Sequence, residues 1–256
     1  MNNINLGLVL SIYNGMEFLE ECLSHWISLR DRLNIQIAIV DCLFDKFYGE
    51  TLNSNDGTVE LLQQYLAEGK IDFFDRLPPN LQENQARNVA IKYLISQNVT
   101  HVLTTAPDEI FDTNNILKIF NHLSQEQRNA LYYIDYKNYI GNKKTYILGF
   151  CPKRIWKTKH QSYVFNGLIH DDDGVFYDLD KRKMVPDNLL PHQTIPNLQV
   201  KHYSWLDGES SRKKIEYQTA RGWLCSYTIN DDNQVLMNEA FYQLNPTKER
   251  PTLYHE

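Results

Sequence analysis

Apolar positions in the first half of the chain follow two alternating rhythms. A short apolar run over residues 6–11, apolar from Leu6 to Leu10, stops at Ile12-Tyr13-Asn14-Gly15, a turn-prone stretch. Beyond it Phe18, Leu19, Cys22, Leu23, Trp26 and Ile27 recur at one-, three- and four-residue spacings, the stripe of an amphipathic helix. A β-branched run over residues 36–40 ends at Asp41, and a loop rich in Asn, Asp and Gly runs from Cys42 to about Asn55. Asp56-Gly57-Thr58 opens a helix carrying Val59, Leu62, Tyr65 and Leu66; residues 71–74 read as a strand, and Pro78-Pro79 breaks the chain. Residues 82–97 form a third helix with Ala86, Val89, Ala90, Tyr93 and Leu94 on one face. A fourth strand over 101–105 leads through Ala106-Pro107-Asp108-Glu109 to a helix capped by Asp112 or Thr113.

This βαβαβαβα order predicts an α/β fold, a mostly parallel sheet with helices on both faces. Such sheets bind ligands beyond the carboxyl ends of their strands. Ser11 to Tyr13, Asp41 and Asp108 all follow strand ends, which makes that edge the expected site. The second half changes character. Residues 131–136 and 145–150 alternate around Gly141-Asn142 as a hairpin, and 164–170 and 200–205 read as strands. Residues 186–196, with three prolines, read as a surface loop, and 211–224 as a helix carrying Arg212, Lys213 and Lys214.

Composition narrows the function. The chain has 256 residues, 42% of them hydrophobic and 23% charged, so it has material for a core without disulfide or metal staples. No apolar window is long enough for a transmembrane segment, and the start lacks the basic region of a secretory signal. Twenty-six basic against 32 acidic residues give a net charge of −6, which disfavours a dedicated duplex-DNA binder. The four cysteines, Cys22, Cys42, Cys151 and Cys225, form no metal-spaced pair and predict reduced thiols and a cytoplasmic location. Sixteen Tyr, 11 Phe and four Trp indicate an aromatic core or a stacking-rich site.

Several sites are excluded by motif. The chain has no G-x-G-x-x-G after its first strand, no P-loop, no H-E-x-x-H and no G-x-S-x-G. What remains is a set of acids and polar groups at strand ends. A nucleoside diphosphate needs a pocket for its base and a divalent ion for its phosphates, and Mg²⁺ or Mn²⁺ prefers carboxylate oxygens. Asp108 is the candidate carboxylate, Tyr13 the candidate stacking ring and Asp41 the acceptor of base hydrogens. Arg87 either meets phosphate or fixes the loop. The same acids would also serve as plain turn caps.

At these residues the chain resembles the family 2 glycosyltransferases of GT-A fold, in the nucleotide-diphospho-sugar transferase superfamily. The resemblance is carried by Leu10-Ser11-Ile12-Tyr13-Asn14-Gly15 with Phe18 to Leu23, and by Ile39-Val40-Asp41 followed after an insertion by Asn55-Asp56-Gly57-Thr58. Gln85-Ala86-Arg87-Asn88 and Ala106-Pro107-Asp108-Glu109 continue it, over roughly residues 5–125. The resemblance implies that Ser11, Tyr13, Asn14, Asp41 and Arg87 bind the donor and that Asp108 binds Mn²⁺ or Mg²⁺. Two positions depart from the family pattern: Ala106 stands for the first acid of the metal motif and Cys42 for the second acid of the base motif. Glu109 or a distant His is the expected compensation.

Gly167-Leu168-Ile169-His170-Asp171 resembles the Gly-x-x-His-Glu segment of the same enzymes, which implies Asp171, with its neighbour Asp172, as the catalytic base for an acceptor hydroxyl. Adjacent acids are expected to raise one another's pKa; a solvated acidic turn is the plain alternative. Lys201-His202-Tyr203-Ser204-Trp205 and the basic helix resemble the family's late segment. This implies His202 as a metal ligand and Lys213, Lys214 or Arg212 as counter-charge to the leaving diphosphate.

The resemblance therefore implies a metal-assisted, inverting transfer of a sugar from a nucleotide-diphosphate donor to an acceptor hydroxyl. The acceptor is unspecified: a glycan first, with a modified nucleic-acid base or a protein also fitting. Residues 1–125 are expected to form the donor half and 126–256 the acceptor half of one GT-A domain, the latter an α+β extension. Ala106 and Cys42 suggest an alternative, a catalytically silent nucleotide-sugar binder or interaction protein.

Overall fold

The computed structural model describes residues 3–47, 51–170, 172–180, 183–206, 208–222, 225–232, 234–245 and 251–256. The first half runs β1 (Leu6–Ile12), α1 (Met16–Leu33), β2 (Ile35–Asp41), α2 (Thr58–Ala67), β3 (Phe73–Arg76), α3 (Glu83–Ser96), β4 (His101–Thr105), β5 (Glu109–Ile110) and α4 (Thr113–Gln125). The second half adds β6 (Leu131–Ile140), β7 (Thr145–Phe150), β8 (Lys153–Lys157), β9 (Lys159–His160), β10 (Tyr163–His170), β11 (Asp173–Asp178) and β12 (Met184–Pro186). β13 (His192–Trp205), α5 (Gly208–Ala220), β14 (Tyr227–Ile229), β15 (Val235–Met237), α6 (Glu239–Leu244) and β16 (Tyr254–His255) follow.

The main sheet orders its strands β16-β7-β6-β8-β4-β1-β2-β3. β3, β2, β1 and β4 are parallel, as the βαβ rhythm predicts, while β8, β6 and β7 extend the sheet antiparallel. This is the α/β arrangement with an α+β extension that the GT-A resemblance implies. Every residue of β1 is buried, because the strand is covered on both faces. Leu6, Leu8, Leu10 and Ile12 pack under α1 and α4; Val9 points the other way, into the cluster under α3. Gly7 lets α3 come close, since a Cβ there would lie 2.8 Å from Leu94 Cδ1.

Helix ends follow the sequence signals. Asn34 closes α1 in the left-handed conformation, and the Asp112 side chain accepts from Asn115 N at 2.8 Å to start α4. One sequence expectation is corrected: residues 186–196 are not a surface loop throughout, because β13 starts at His192 beside β6. Pro196 is tolerated at a register break between Thr194 and Gln199, where Asn197 turns at φ 56°, while Pro186 lies on β12 opposite Val175 and Pro191 precedes β13. The predicted last helix begins three residues earlier than expected, at Gly208, and ends at Ala220.

The register pairs Ile12 with Asp41 and Leu10 with Thr105. The ends of β1, β2 and β4 thus lie side by side, with the residues after them along one edge. A second sheet, β12-β11-β10-β9, packs its β10 against α3 at that edge.

Candidate functional site

On the β2 side of the edge, the loop after Asp41 folds back over the strand ends. Asp41 has no exposed surface, and its Oδ1 accepts from Ser54 Oγ at 2.5 Å while its Oδ2 accepts from Ser54 N at 3.2 Å. Burial pushes the Asp41 carboxyl up, and the Ser54 bonds offset part of that rise. Asn14 holds the same loop: its N donates to Ser54 Oγ at 2.7 Å and its Oδ1 accepts from Asn55 N at 2.9 Å. Tyr13 donates to Thr51 O at 2.8 Å and meets Phe47 edge-on, 5.7 Å between centroids, and Phe47 in turn meets Tyr217 of α5 at 5.2 Å. Asp41, Tyr13 and Asn14 are therefore brought together, but their polar groups face the insertion. A plain Asp-Gly-Thr reading has no signal for that enclosure.

On the β4 side, the turn 105–109 is closed by Glu109. Its Oε2 accepts from Thr105 Oγ1 at 3.0 Å, Ala106 N at 3.3 Å and Tyr136 Oη at 2.9 Å, and its Oε1 from Arg154 Nη2 at 2.6 Å. With 1% exposure and both oxygens engaged, Glu109 does not compensate for Ala106 as a metal ligand. Asp108 points elsewhere. Its Oδ2 lies 3.6 Å from His202 Nε2 and 3.9 Å from Lys214 Nζ, and its side chain keeps 24% exposure. Tyr203 N donates to Asp108 O at 2.8 Å, tying β13 to the turn. Lys214 also lies over the Trp205 ring, 5.2 Å from its centroid, while Lys213 is exposed on the same helix.

Between these two sides runs a continuous ionic chain. Arg87 donates from Nε to Ser11 Oγ at 3.1 Å, from Nη2 to Glu83 Oε1 at 2.6 Å and from Nη1 to Asp172 Oδ1 at 2.7 Å. Arg154 Nη1 donates to the other Asp172 oxygen, and its Nη2 reaches Glu109. Both guanidiniums are about 5% exposed. Burial alone would lower their pKa, but the surrounding carboxylates raise them, so both stay charged. The adjacent-acid expectation is corrected for Asp172. Burial raises its carboxyl, yet Arg154 and Arg87 outweigh burial and the net shift is downward. Asp171 lies outside the described residues.

α3 grips the hairpin that carries these acids. Asn88 Nδ2 donates to Leu168 O at 2.7 Å and its Oδ1 accepts from Leu168 N at 2.8 Å, while Asn84 Nδ2 donates to Ile169 O at 2.8 Å. From below, Asp187 Oδ2 accepts from Gly174 N at 2.6 Å and Trp156 Nε1 at 2.8 Å. Arg154, Glu83 and Asn84 were invisible as site residues in the sequence. Arg154 follows Lys153 on β8, a stretch for which the sequence pattern gave no element, and only the fold brings it to Asp172. A cleft of about 510 Å³ opens beside the chain, between Lys46, the start of α3, His170, Asp173 and α5.

As a donor set, Asp108 and His202 offer one carboxylate oxygen and one imidazole nitrogen, and no group of three or more metal-type side chains gathers among the described residues. The carboxylate suits either Mn²⁺ or Mg²⁺ held partly by substrate phosphate and water, whereas the imidazole nitrogen suits Mn²⁺ and not oxygen-seeking Mg²⁺.

No family model and no curated protein matches the chain. Among solved structures, residues 1–349 of TarS from S. aureus align over 60% of this chain and 47% of that one, at 16% identity and TM-score 0.43. TarS in complex with UDP-GlcNAc aligns over 56% and 39%, at 16% identity and TM-score 0.41. The mannosyltransferase PcManGT from Pyrobaculum calidifontis, in complex with GDP-Man and Mn²⁺, aligns over 62% and 46%, at 11% identity and TM-score 0.44. The chain thus spans less than half the length of each.

Proposed function

We propose that the chain is a glycosyltransferase that moves a sugar from a nucleotide-diphosphate donor to an acceptor hydroxyl, with inversion. The observation that carries this reading is the Asp108–His202 pair, 3.6 Å apart at the carboxyl end of the parallel strands. It stands at the place where the family motifs predict the diphosphate. Residues 1–125 supply most of the donor half and residues 126–256 the acceptor half, with His202 and Lys214 crossing from the second to the first.

In this reading Asp108 and His202 would hold a divalent ion, which when bound would supply positive charge for the leaving diphosphate. Lys214, 3.9 Å from Asp108, adds a second positive charge beside the same leaving group. Tyr13 and Phe47 supply the aromatic surface for the base. The acceptor oxygen forms a bond to the anomeric carbon as the carbon–oxygen bond to the diphosphate breaks, and the hydroxyl proton passes to Asp171. Asp172 holds the hairpin through Arg87 and Arg154, and its lowered pKa suits it less to receive a proton. Two features favour the silent-binder alternative: Ala106 in place of an acid, and Glu109 saturated by its own turn.

Transfer from labelled nucleotide sugars to glycan, protein and nucleic-acid acceptors separates the two. The transferase reading expects turnover with at least one pair, strongly reduced in Asp171→Asn while donor binding persists. Donor binding without transfer to any acceptor supports the silent binder. Equal loss of binding and transfer in Asp171→Asn contradicts its role as base.

A further inference from the structure

His202 does not stand alone behind Asp108. It pairs across the sheet with Asn138 of β6, and its Nδ1 lies 2.5 Å from Asn138 Oδ1. Both side chains are buried, Asn138 at 4% and His202 at 7% exposure. The ring is fixed in plane as well. Phe150 stacks on it at 5.8 Å with 20° between planes, and Tyr136 meets its edge at 5.5 Å. A carboxamide oxygen only accepts, so a bond of this length requires the proton on Nδ1. In the neutral ring the other nitrogen, Nε2, then carries a lone pair on the side of Asp108 Oδ2, 3.6 Å away. Among the described residues Asn138 Nδ2 has no hydrogen-bond partner in this buried setting, a cost that the bond from its oxygen to His202 offsets.

We infer that Asn138 is a positioning residue that holds His202 in the Nδ1–H tautomer, so that Nε2 and the Asp108 carboxylate present a nitrogen and an oxygen donor to one cation. The cation half of this statement rests on the proposed function; the tautomer half stands on the apo protein. Ligating histidines are commonly oriented by such an acceptor on their second nitrogen, and its loss weakens metal affinity by about 10- to 100-fold. A free imidazole in water has no such partner, so the tautomer is a signature of this contact.

The test is two-bond ¹H–¹⁵N correlation spectroscopy on the ¹⁵N-histidine-labelled full chain, at a pH where the His202 ring is neutral, alongside Mn²⁺ titration followed by water-proton relaxation. The wild-type chain is expected to show a protonated Nδ1 and an unprotonated Nε2 at His202. Asn138→Leu, close in shape and lacking the acceptor, is expected to lose that pattern and to bind Mn²⁺ about 10-fold or more weakly. Asn138→Asp, which keeps an acceptor, is expected to retain the tautomer. A wild-type His202 with its proton on Nε2 overturns the inference, whether or not any variant folds; so does an unchanged tautomer in folded Asn138→Leu. A tautomer that switches as expected in a chain that binds no Mn²⁺ supports the positioning role and removes the metal from the proposed function instead.

Discussion

Arg87 Nη1 donates to Asp172 Oδ1 at 2.7 Å, which joins the start of α3 to the tip of the β10–β11 hairpin, 85 residues apart in sequence. Arg154 holds the other oxygen of the same carboxylate. One acid thus ties three elements together, and the hairpin carrying the proposed base is set before any substrate arrives. Such preorganisation is what transfer chemistry asks of a scaffold.

Asp172→Asn should therefore be a stability variant first. It leaves two buried guanidiniums short of a counter-charge, a change that costs about 3–5 kcal/mol when a buried pair is broken. For a chain of this size that lowers Tm by about 6–20 °C. The pH dependence follows from the lowered folded pKa. The contribution is fully present above the unfolded value of about 3.9 and fades as pH falls through the lower folded value. Calorimetry should show the same deficit from pH 7 to 5 and a shrinking one below about pH 4. A deficit that persists unchanged in acid contradicts the ionic origin.

Asp41 behaves in the opposite sense. Its folded carboxyl is pushed up by burial, so its ionised form costs stability, and that cost is relieved as pH falls through the raised value. Ser54→Ala removes a 2.5 Å bond to that carboxylate and should cost about 1–3 kcal/mol at pH 7. The loss should be smaller at pH 4 than at pH 7, because ionised Asp41 is depleted as pH falls through its raised value. Equal losses in Tm at the two pH values would show that Ser54 does not act on a charged Asp41.

Gly167 and Gly141 give a matched pair for the hairpin clasp. Both have positive φ, 117° and 68°, but an added Cβ at 167 runs into Asn88 Oδ1 whereas at 141 it meets nothing within 4 Å. Gly167→Ala should incur backbone strain of about 1–3 kcal/mol and lose the Asn88 clasp as well. Gly141→Ala should incur only the strain. Thermal unfolding that ranks them equally argues against a working clasp.

Much of the parallel half was readable before the structure. The short apolar run of β1 and the three- and four-residue stripes of α1 and α3 are local patterns, and Asp112 is a local cap. Bottom-up, the site was readable where residues followed strand ends, as at Asp108; Arg87, Asp172 and His202 were reached through the ordered motifs. Arg154 and Asn138 lie on strands of the second half, where alternation says which face a residue takes but not what stands opposite. Their partners, Asp172 and His202, are 18 and 64 residues away; His202 meets Asn138 through sheet registry, and Asp172 meets Arg154 only where the second sheet packs on the first. The proline-bearing start of β13 was missed for a related reason, since a bulge that accommodates Pro196 has no sequence signature of its own.

The central claim is that a nucleoside diphosphate binds at the carboxyl edge of the parallel strands through Asp108. Isothermal titration with UDP, GDP, CDP and dTDP, each with and without Mn²⁺, tests it on the wild-type chain and on Asp108→Ala. At least one diphosphate is expected to bind the wild type more tightly with Mn²⁺, and Asp108→Ala to lose the Mn²⁺-dependent part. Binding of none of the four, or undiminished Mn²⁺-dependent binding to Asp108→Ala, contradicts it.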